Sequence, residues 1–267
     1  MTDPSINSLP SGHEFLERGR RFEASVEAQT IQGLQTGGLG KRAYAMYVGF
    51  GDGISLLTVV ASCSLGCRNG DHLIENVVRR LVNYVLGAFR LACRGYYDES
   101  VGLARNAAEI LNLLQLYDAD PSVASSWSSL DDAARRKRYC PIEVRKQIEG
   151  KGRTPLIDQQ AYSVLCDAGL HISPTSAKQT HDLEGDRVYV GPQLSAPGII
   201  MVLSELSYMV GHAVEITARL VKADEVHLSA SKNVKAGLLG AVDRGEMRVA
   251  NYQNALRWFK EQPGDVS

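Results

Sequence analysis

The chain has 267 residues, a formal net charge of −1 and an isoelectric point near 6.6, which excludes a global field that would draw it to nucleic acid or an anionic membrane. Hydrophobic residues make up 44% and charged residues 22%, which excludes a disordered chain. A chain of this length buries roughly 75% of its unfolded surface, so it needs no disulfide staples.

Residues 1–13 are polar and carry Asp3, Pro4 and Pro10. They have neither a basic n-region nor an apolar h-region, so they read as a flexible leader rather than a signal peptide. Residues 14–267 read as one helical domain. Over 14–32, Phe15, Leu16, Phe22, Val26 and Ile31 are spread among charges, the pattern of an exposed amphipathic helix. Glycines at 33, 37, 38 and 40 break it. Residues 44–53 read as a short apolar segment ending in Gly49-Phe50-Gly51-Asp52-Gly53. Asp52 is placed to cap a new helix over 53–65. The glycine pattern lacks the strand–turn–helix setting and the lysine of a phosphate loop, and reads as a turn.

A loop over 66–71 precedes two long helices. The first, 72–94, gathers Val77, Val78, Leu81, Val85, Ala88, Phe89 and Ala92 on one side. The second, 97–117, does the same with Leu103, Ala107, Ile110, Leu111 and Leu114. Gly95 separates them, which predicts a central antiparallel hairpin. Residues 121–129 are serine-rich and end the second helix. Ser129, Asp131 and Asp132 mark another helix start. Pro141 opens a helix over 142–149, and a further helix follows over 155–169.

Residues 173–194 hold Pro174, a Ser/Thr cluster, the turn Glu184-Gly185-Asp186 and Arg187-Val188-Tyr189-Val190. They read as a small β-hairpin-like excursion. The run 199–221 is long enough to span a bilayer, yet it contains Glu205, His212, Glu215 and Arg219. Each charge costs about 2.5–3.5 kcal/mol near the bilayer centre. The expectation is therefore a buried helix over 196–222 in a soluble, cytoplasmic protein with no membrane partner. A connector over 224–231 and a last helix over 247–260, docked through Val249, Tyr252, Ala255, Leu256 and Phe259, complete the chain. The fold class expected is all-α: a helical bundle around the central hairpin, with one non-helical excursion. Long apolar helices of this kind point to a homodimer.

The five cysteines are Cys63, Cys67, Cys93, Cys140 and Cys166. An odd number, with Cys93 and Cys166 in apolar helical stretches, reads as reduced thiols in the cytosol. Cys63 and Cys67 have no second pair to complete a zinc site. No His, Cys, Asp and Glu cluster has ligand spacing, so neither metal nor cofactor is expected.

Polar residues inside apolar helices are the candidates for chemistry. Arg105 and Glu109 lie four apart, with Asn112 next, on a helix apolar on most sides. A buried ion pair can cost more in desolvation than it returns, so this one is either a lock between helices or part of a site. Glu205, Tyr208, His212, Glu215 and Arg219 share one stripe, either solvated or an interior polar seam. His212-x-x-Glu215 occurs once, in the wrong order for a di-metal carboxylate bundle. His171 ends a helical run, where a histidine suits the helix dipole, and His181 falls in the excursion. A basic segment spans 135–153: Arg135, Arg136, Lys137, Arg138, Arg145, Lys146, Lys151 and Arg153. It is either a solvated face or a phosphate-neutralising one whose binding weakens with salt.

Three segments in order carry a resemblance. They are Gly95-Tyr96-Tyr97-Asp98-Glu99 with Arg105 and Glu109, Pro141-Ile142-Glu143-Val144-Arg145-Lys146, and Tyr162-Ser163-Val164-Leu165 with His171. Together they resemble the signature of a group of uncharacterised bacterial helical proteins, a domain of unknown function. Cys166 stands where that pattern has Ser. The resemblance covers residues 86–171, about a third of the chain. Such families are similar in outline to HEPN domains, which include metal-independent ribonucleases of toxin and phage-defence systems. Those enzymes place an Arg and a His on one helix, four to six residues apart. Arg105 followed by Asn106 fits the Arg, but positions 110 to 112 are Ile, Leu and Asn. Two function classes result. One is a binding or regulatory protein whose polar pocket of Arg105, Glu109, Tyr162 and His171 takes a small anionic ligand. The other is a ribonuclease acting on RNA through Arg105 and His171.

Overall fold

The computed structural model describes residues 12–66, 72–170 and 191–242, and these form ten helices and no strand. They are α1 (Gly12–Thr36), α2 (Lys41–Ala61), α3 (Leu73–Cys93), α4 (Tyr97–Ala119), α5 (Ser122–Ser129), α6 (Asp132–Arg138), α7 (Pro141–Gly150), α8 (Gln159–Gly169), α9 (Ala196–Leu220) and α10 (Glu225–Ala241). Four starts are fixed by short polar side chains accepting from the first-turn backbone. Asp131 accepts from the amide of Ala134, Asp158 from Ala161, Ser195 from Gly198 and Asp224 from His227, at 2.8–3.1 Å. The all-α expectation is met among the described residues.

The core is organised by α9 and α4. α9 packs against α2, α3, α4 and α10, and α4 against α3, α7, α8 and α9. By length and composition both α2 and α9 could cross a membrane; in the structure most of α9 is buried by other helices. Two of its small polar residues are satisfied by its own backbone, Ser204 donating to the Ile200 carbonyl at 2.7 Å and Thr217 to that of Ala213 at 2.8 Å, whereas the buried Ser207 hydroxyl has no hydrogen-bond partner among the described residues. α3 and α4 lie along each other, pinned where Ser100 Oγ donates to the Ala88 carbonyl at 2.7 Å. Gly95 turns the chain between them at φ +86°, and a Cβ there would fall 2.2 Å from the Gln193 carbonyl oxygen. The segment before α9 lies on this turn. The Tyr97 hydroxyl donates to the Gln193 carbonyl at 3.0 Å and accepts from the Ser195 amide at 2.9 Å. Burial pushes this phenol up to about 12.

Several sequence expectations are corrected. α1 starts at Gly12, so Gly12 and His13 of the expected leader are helical. α2 runs unbroken through Gly49-Phe50-Gly51-Asp52-Gly53, so there is no turn and Asp52 caps nothing. Gly49 and Gly53 serve helix contact instead. A Cβ on Gly53 would lie 2.3 Å from Val210 Cγ1 of α9, and one on Gly49 2.9 Å from Leu238 Cδ2 of α10. A mid-helix glycine costs roughly 1 kcal/mol against alanine, which close packing on two neighbours offsets. Residues 122–129 are helical rather than a loop, with Asp120 Oδ1 accepting from both the amide and the hydroxyl of Ser122. The expected connector over 224–231 is the first turns of α10, capped by Asp224. α8 begins at Gln159 rather than 155, because the backbone of Thr154 and Ile157 is bonded to side chains of α4 instead of to a helix of its own. Residues 191–194 are non-helical; the rest of the expected excursion and the expected helix over 247–260 lie outside the described residues.

The two glycines of α2 give a test with an internal control. Gly53→Ala should lower stability by about 1–3 kcal/mol through overpacking. Gly51→Ala, whose Cβ meets nothing within 4 Å, should be neutral or stabilising by up to about 1 kcal/mol. Urea denaturation of the two variants checks the contrast; equal midpoints would remove the packing role from Gly53.

Candidate functional site

The site begins with two amides on α4. Asn112 Nδ2 donates to the Ile157 carbonyl at 2.7 Å, and Asn112 Oδ1 accepts from the Ile157 amide at 3.0 Å. One turn on, Gln115 Nε2 donates to the Thr154 carbonyl at 2.8 Å and Oε1 accepts from the Leu156 amide at 2.9 Å. Both side chains are buried, and each satisfies backbone that has no helical partner. Tyr208 of α9 adds a third hold, donating to the Leu156 carbonyl at 3.1 Å. With this segment fixed, Asp158 caps α8, and Tyr162 is delivered over α4.

Tyr162 is the centre of a charged cluster. Its hydroxyl donates to Glu109 Oε1 at 2.7 Å, the same oxygen that takes Arg105 Nη2 at 2.7 Å, and Arg105 also donates to the Tyr162 hydroxyl. Two guanidiniums flank the ring: Arg105 at 5.1 Å from its centroid and Arg145 of α7 at 4.7 Å. Burial, then the hydrogen bond to Glu109 and its charge, push the Tyr162 phenol well above its ordinary range. Burial works against the Arg105 cation, but the Glu109 carboxylate together with Cys166 and Tyr162 outweighs it and holds the guanidinium charged. The Arg105 and Glu109 side chains are 24% and 31% exposed, so the pair is half-buried at an edge of the helix packing rather than sealed inside it.

Arg145 is the more buried cation, with only 5% of the residue exposed. Its Nη2 donates to Gln159 Oε1, while Nη1 is buried without a hydrogen-bond partner. It stands beside an open cavity of about 520 Å³ between α3, α4, the α5–α7 segment and α8. Arg80, Arg135, Arg136 and Arg145 line it, against two carboxylates, Glu109 and Asp132. Trp127, Tyr139, Val144 and Tyr162 contribute ring and apolar surface. Arg135 is a fixture of the wall: it pairs with Asp132 at 2.8 Å, donates to the Trp127 and Leu130 carbonyls, and lies 4.6 Å from the Trp127 ring centroid. Arg80, Arg136 and Arg145 have no ion pair among the described residues.

Of the first set of candidates, the structure brings Arg105, Glu109 and Tyr162 together, and Glu109 and Tyr162 line the cavity. His171 lies outside the described residues. The second set is divided. Glu205 is buried in the core. Tyr208 holds Leu156 and meets the His212 ring edge-on at 4.6 Å. Glu215 belongs to an ionic chain: Lys235 to Glu215 at 2.5 Å, Glu215 to Arg219 at 2.9 Å, and Arg219 to Asp118 as a two-pronged fork at 3.0 and 2.9 Å. Arg153 adds 2.8 Å to the same Asp118. Burial pushes the Asp118 carboxyl up, but its bonds to Arg219 and Arg153 outweigh this and hold it below the ordinary carboxylate range. The basic segment is likewise split: Lys146, Lys151 and Arg153 pair with Glu143, Asp120 and Asp118, whereas Arg135, Arg136 and Arg145 face the cavity.

Sequence reasoning placed Arg145 within that basic run and within the Pro141–Lys146 segment of the resemblance, but not among the site candidates. Its signal was position: it follows Val144 and precedes Ile148 by three, on the buried side of α7. Among the described residues no group of three or more His, Cys, Asp and Glu is placed to hold a metal. Cys63, Cys93, Cys140 and Cys166 are free thiols, and burial pushes Cys93 up to about 12. Cys67 lies outside the described residues. Comparison of the chain with protein-family models, with curated proteins and with solved structures finds no match.

Two outcomes follow from this geometry. Tyr162→Phe keeps the ring between the two arginines but removes the hydroxyl, and should lower unfolding stability by about 0.5–1.5 kcal/mol; no change in thermal or urea unfolding would mean the hydroxyl holds nothing. For Asp118 the folded pKa lies below the unfolded one, so its contribution is present above pH ~4 and lost as pH falls through the lower folded value. Asp118→Asn should therefore cost about 1–3 kcal/mol at pH 7 and flatten the acid limb of the stability–pH curve.

Proposed function

We propose that the protein is a binding or regulatory protein whose site is the arginine-walled cavity, and that its ligand is a small anion. The observation that carries this is Arg145: a residue only 5% exposed, with one buried guanidinium donor lacking a partner, facing a cavity. A buried polar group without a partner is expensive, and an oxyanion entering the cavity would supply the missing acceptor. The volume falls within the range of roughly 300–1,000 Å³ common for small-molecule sites. The Arg105–Glu109–Tyr162 cluster then has a clear part. Glu109 is engaged by Arg105 and by the Tyr162 hydroxyl, so the carboxylate closest to Tyr162 is neutralised and repels an incoming anion less.

The same reading takes the helices as one bundle on the α3–α4 hairpin, residues 173–194 as the non-helical excursion, and the protein as a cytoplasmic homodimer. It is compatible with the resemblance to the uncharacterised bacterial helical family. A HEPN-like ribonuclease would draw on Arg105 and His171. Arg105 is committed to Glu109 and Tyr162, and no observed arrangement favours that chemistry over binding.

Thermal unfolding in low salt tests the reading. An oxyanion held at about a hundred times its Kd should add roughly 2.7 kcal/mol of stability, seen as a raised Tm that fades with added salt. Arg145→Gln should abolish the shift. If inorganic phosphate, aryl phosphates and carboxylates all leave the Tm unmoved, the binding reading fails. RNA cleavage that is lost in Arg105→Ala would favour the ribonuclease.

A further inference from the structure

The cavity also limits what kind of anion it can take, and this step rests on the binding reading above. We infer that the ligand is a phosphate monoester that carries a planar aromatic group, a class that includes aryl phosphates, where the ring bears the phosphoryl group directly, and nucleoside monophosphates, where a ribose links the two.

The first argument is charge. Arg105, outside the lining, compensates Glu109, and Arg135 compensates Asp132, which leaves the guanidiniums of Arg80, Arg136 and Arg145 as the excess positive charge of the wall. A phosphate monoester carries about −1.5 to −2 at neutral pH and offsets most of that excess, whereas a carboxylate offsets only about a third of it. The second is the number of donors. Arg80 from α3, Arg136 from α6 and Arg145 from α7 reach the same cavity from three helices, and none has an ion pair among the described residues. A phosphoryl group offers three acceptor oxygens to such planar forks, and a carboxylate offers two. Arg145 makes this a built site rather than a basic surface, because its unpartnered donor is already out of water.

The third argument is the rest of the lining. Leu113, Trp127, Tyr139 and Val144 share the cavity with the guanidiniums. Inorganic phosphate would leave that surface uncovered. A ring attached to the phosphoryl group would cover it and contribute the apolar contact that fixes orientation in small-molecule sites.

Isothermal titration of the full chain with phenyl phosphate, inorganic phosphate, benzoate, phenol and adenosine monophosphate separates the three arguments. Phenyl phosphate should bind at least about tenfold tighter than either benzoate or inorganic phosphate, with phenol undetectable. Adenosine monophosphate should bind at least as tightly as phenyl phosphate. Arg145→Lys keeps the charge and loses the fork, and should weaken phenyl phosphate at least about tenfold with an unchanged circular dichroism spectrum. If that variant does not fold, Arg136→Gln, at an exposed position, should weaken it several-fold. Benzoate binding as tightly as phenyl phosphate overturns the phosphoryl assignment and leaves anion binding standing. Inorganic phosphate binding as tightly overturns the aromatic body. Failure of every anion to bind overturns both this inference and the reading beneath it.

Discussion

The amides of Asn112 and Gln115 hold the backbone of residues 154–157 much as a neighbouring strand would, in a molecule whose described residues contain no strand. Each amide both donates and accepts, so four backbone groups crossing a helix are satisfied without water. Hydrogen bonds of this kind return only about 1 kcal/mol each, but leaving a buried donor or acceptor unmade costs about 1–3 kcal/mol. The clamp therefore fixes geometry more than it adds stability. It decides where α8 starts, and with it which side of Tyr162 meets α4 and which meets α7. Without that placement Arg105 and Arg145 would have no common ring to flank, and the cavity would lose one wall.

The distribution of charge explains why the site is not obvious from the whole chain. A net charge of −1 averages over regions of opposite habit. Along the α4–α9 edge the carboxylates are shared: Asp118 serves two arginines, and Glu215 serves Arg219 and Lys235. That network is self-contained and ties α4 and the segment after α7 to α9 and α10. Around the cavity the habit reverses, and guanidiniums outnumber carboxylates. Exclusion of a global field toward nucleic acid holds for the molecule as a whole and says nothing against this local excess.

Much of the helical layout was legible because it is written in local chemistry. Asp131, Pro141 and the apolar runs of α3, α4 and α9 act within one or two turns of themselves. The misreadings came from residues whose role is tertiary. Gly49 and Gly53 have the composition of a turn, and only the approach of Val210 and Leu238 makes them helical. The serines of α5 and the polar start of α10 have weak helical preference, so Asp120 and Asp224 decide their ends. At the site, Arg105, Glu109 and Tyr162 stood out because a charged pair on an apolar helix needs a reason. Arg145 did not, because in sequence it is one cation among eight, the resemblance segment it shares with Lys146 assigns it no role, and its burial is a tertiary fact. The stripe of α9 looked uniform on a helical wheel, yet its members face different neighbours along the helix.

The Tyr97 hydroxyl joins its own helix to a backbone 98 residues further along. Closing so long a loop carries an entropic penalty, but one that grows only with the logarithm of the loop's length, about 0.6 kcal/mol for each doubling. The seat of α9 is thereby set by its anchor on the Gly95 turn, and depends only weakly on how much chain runs between the two. Most of that stretch is α4 to α8 and packs against the rest of the molecule, so a change in its length is cheap only where it leaves those helices in place, while the first turn of the most buried helix returns to the same anchor.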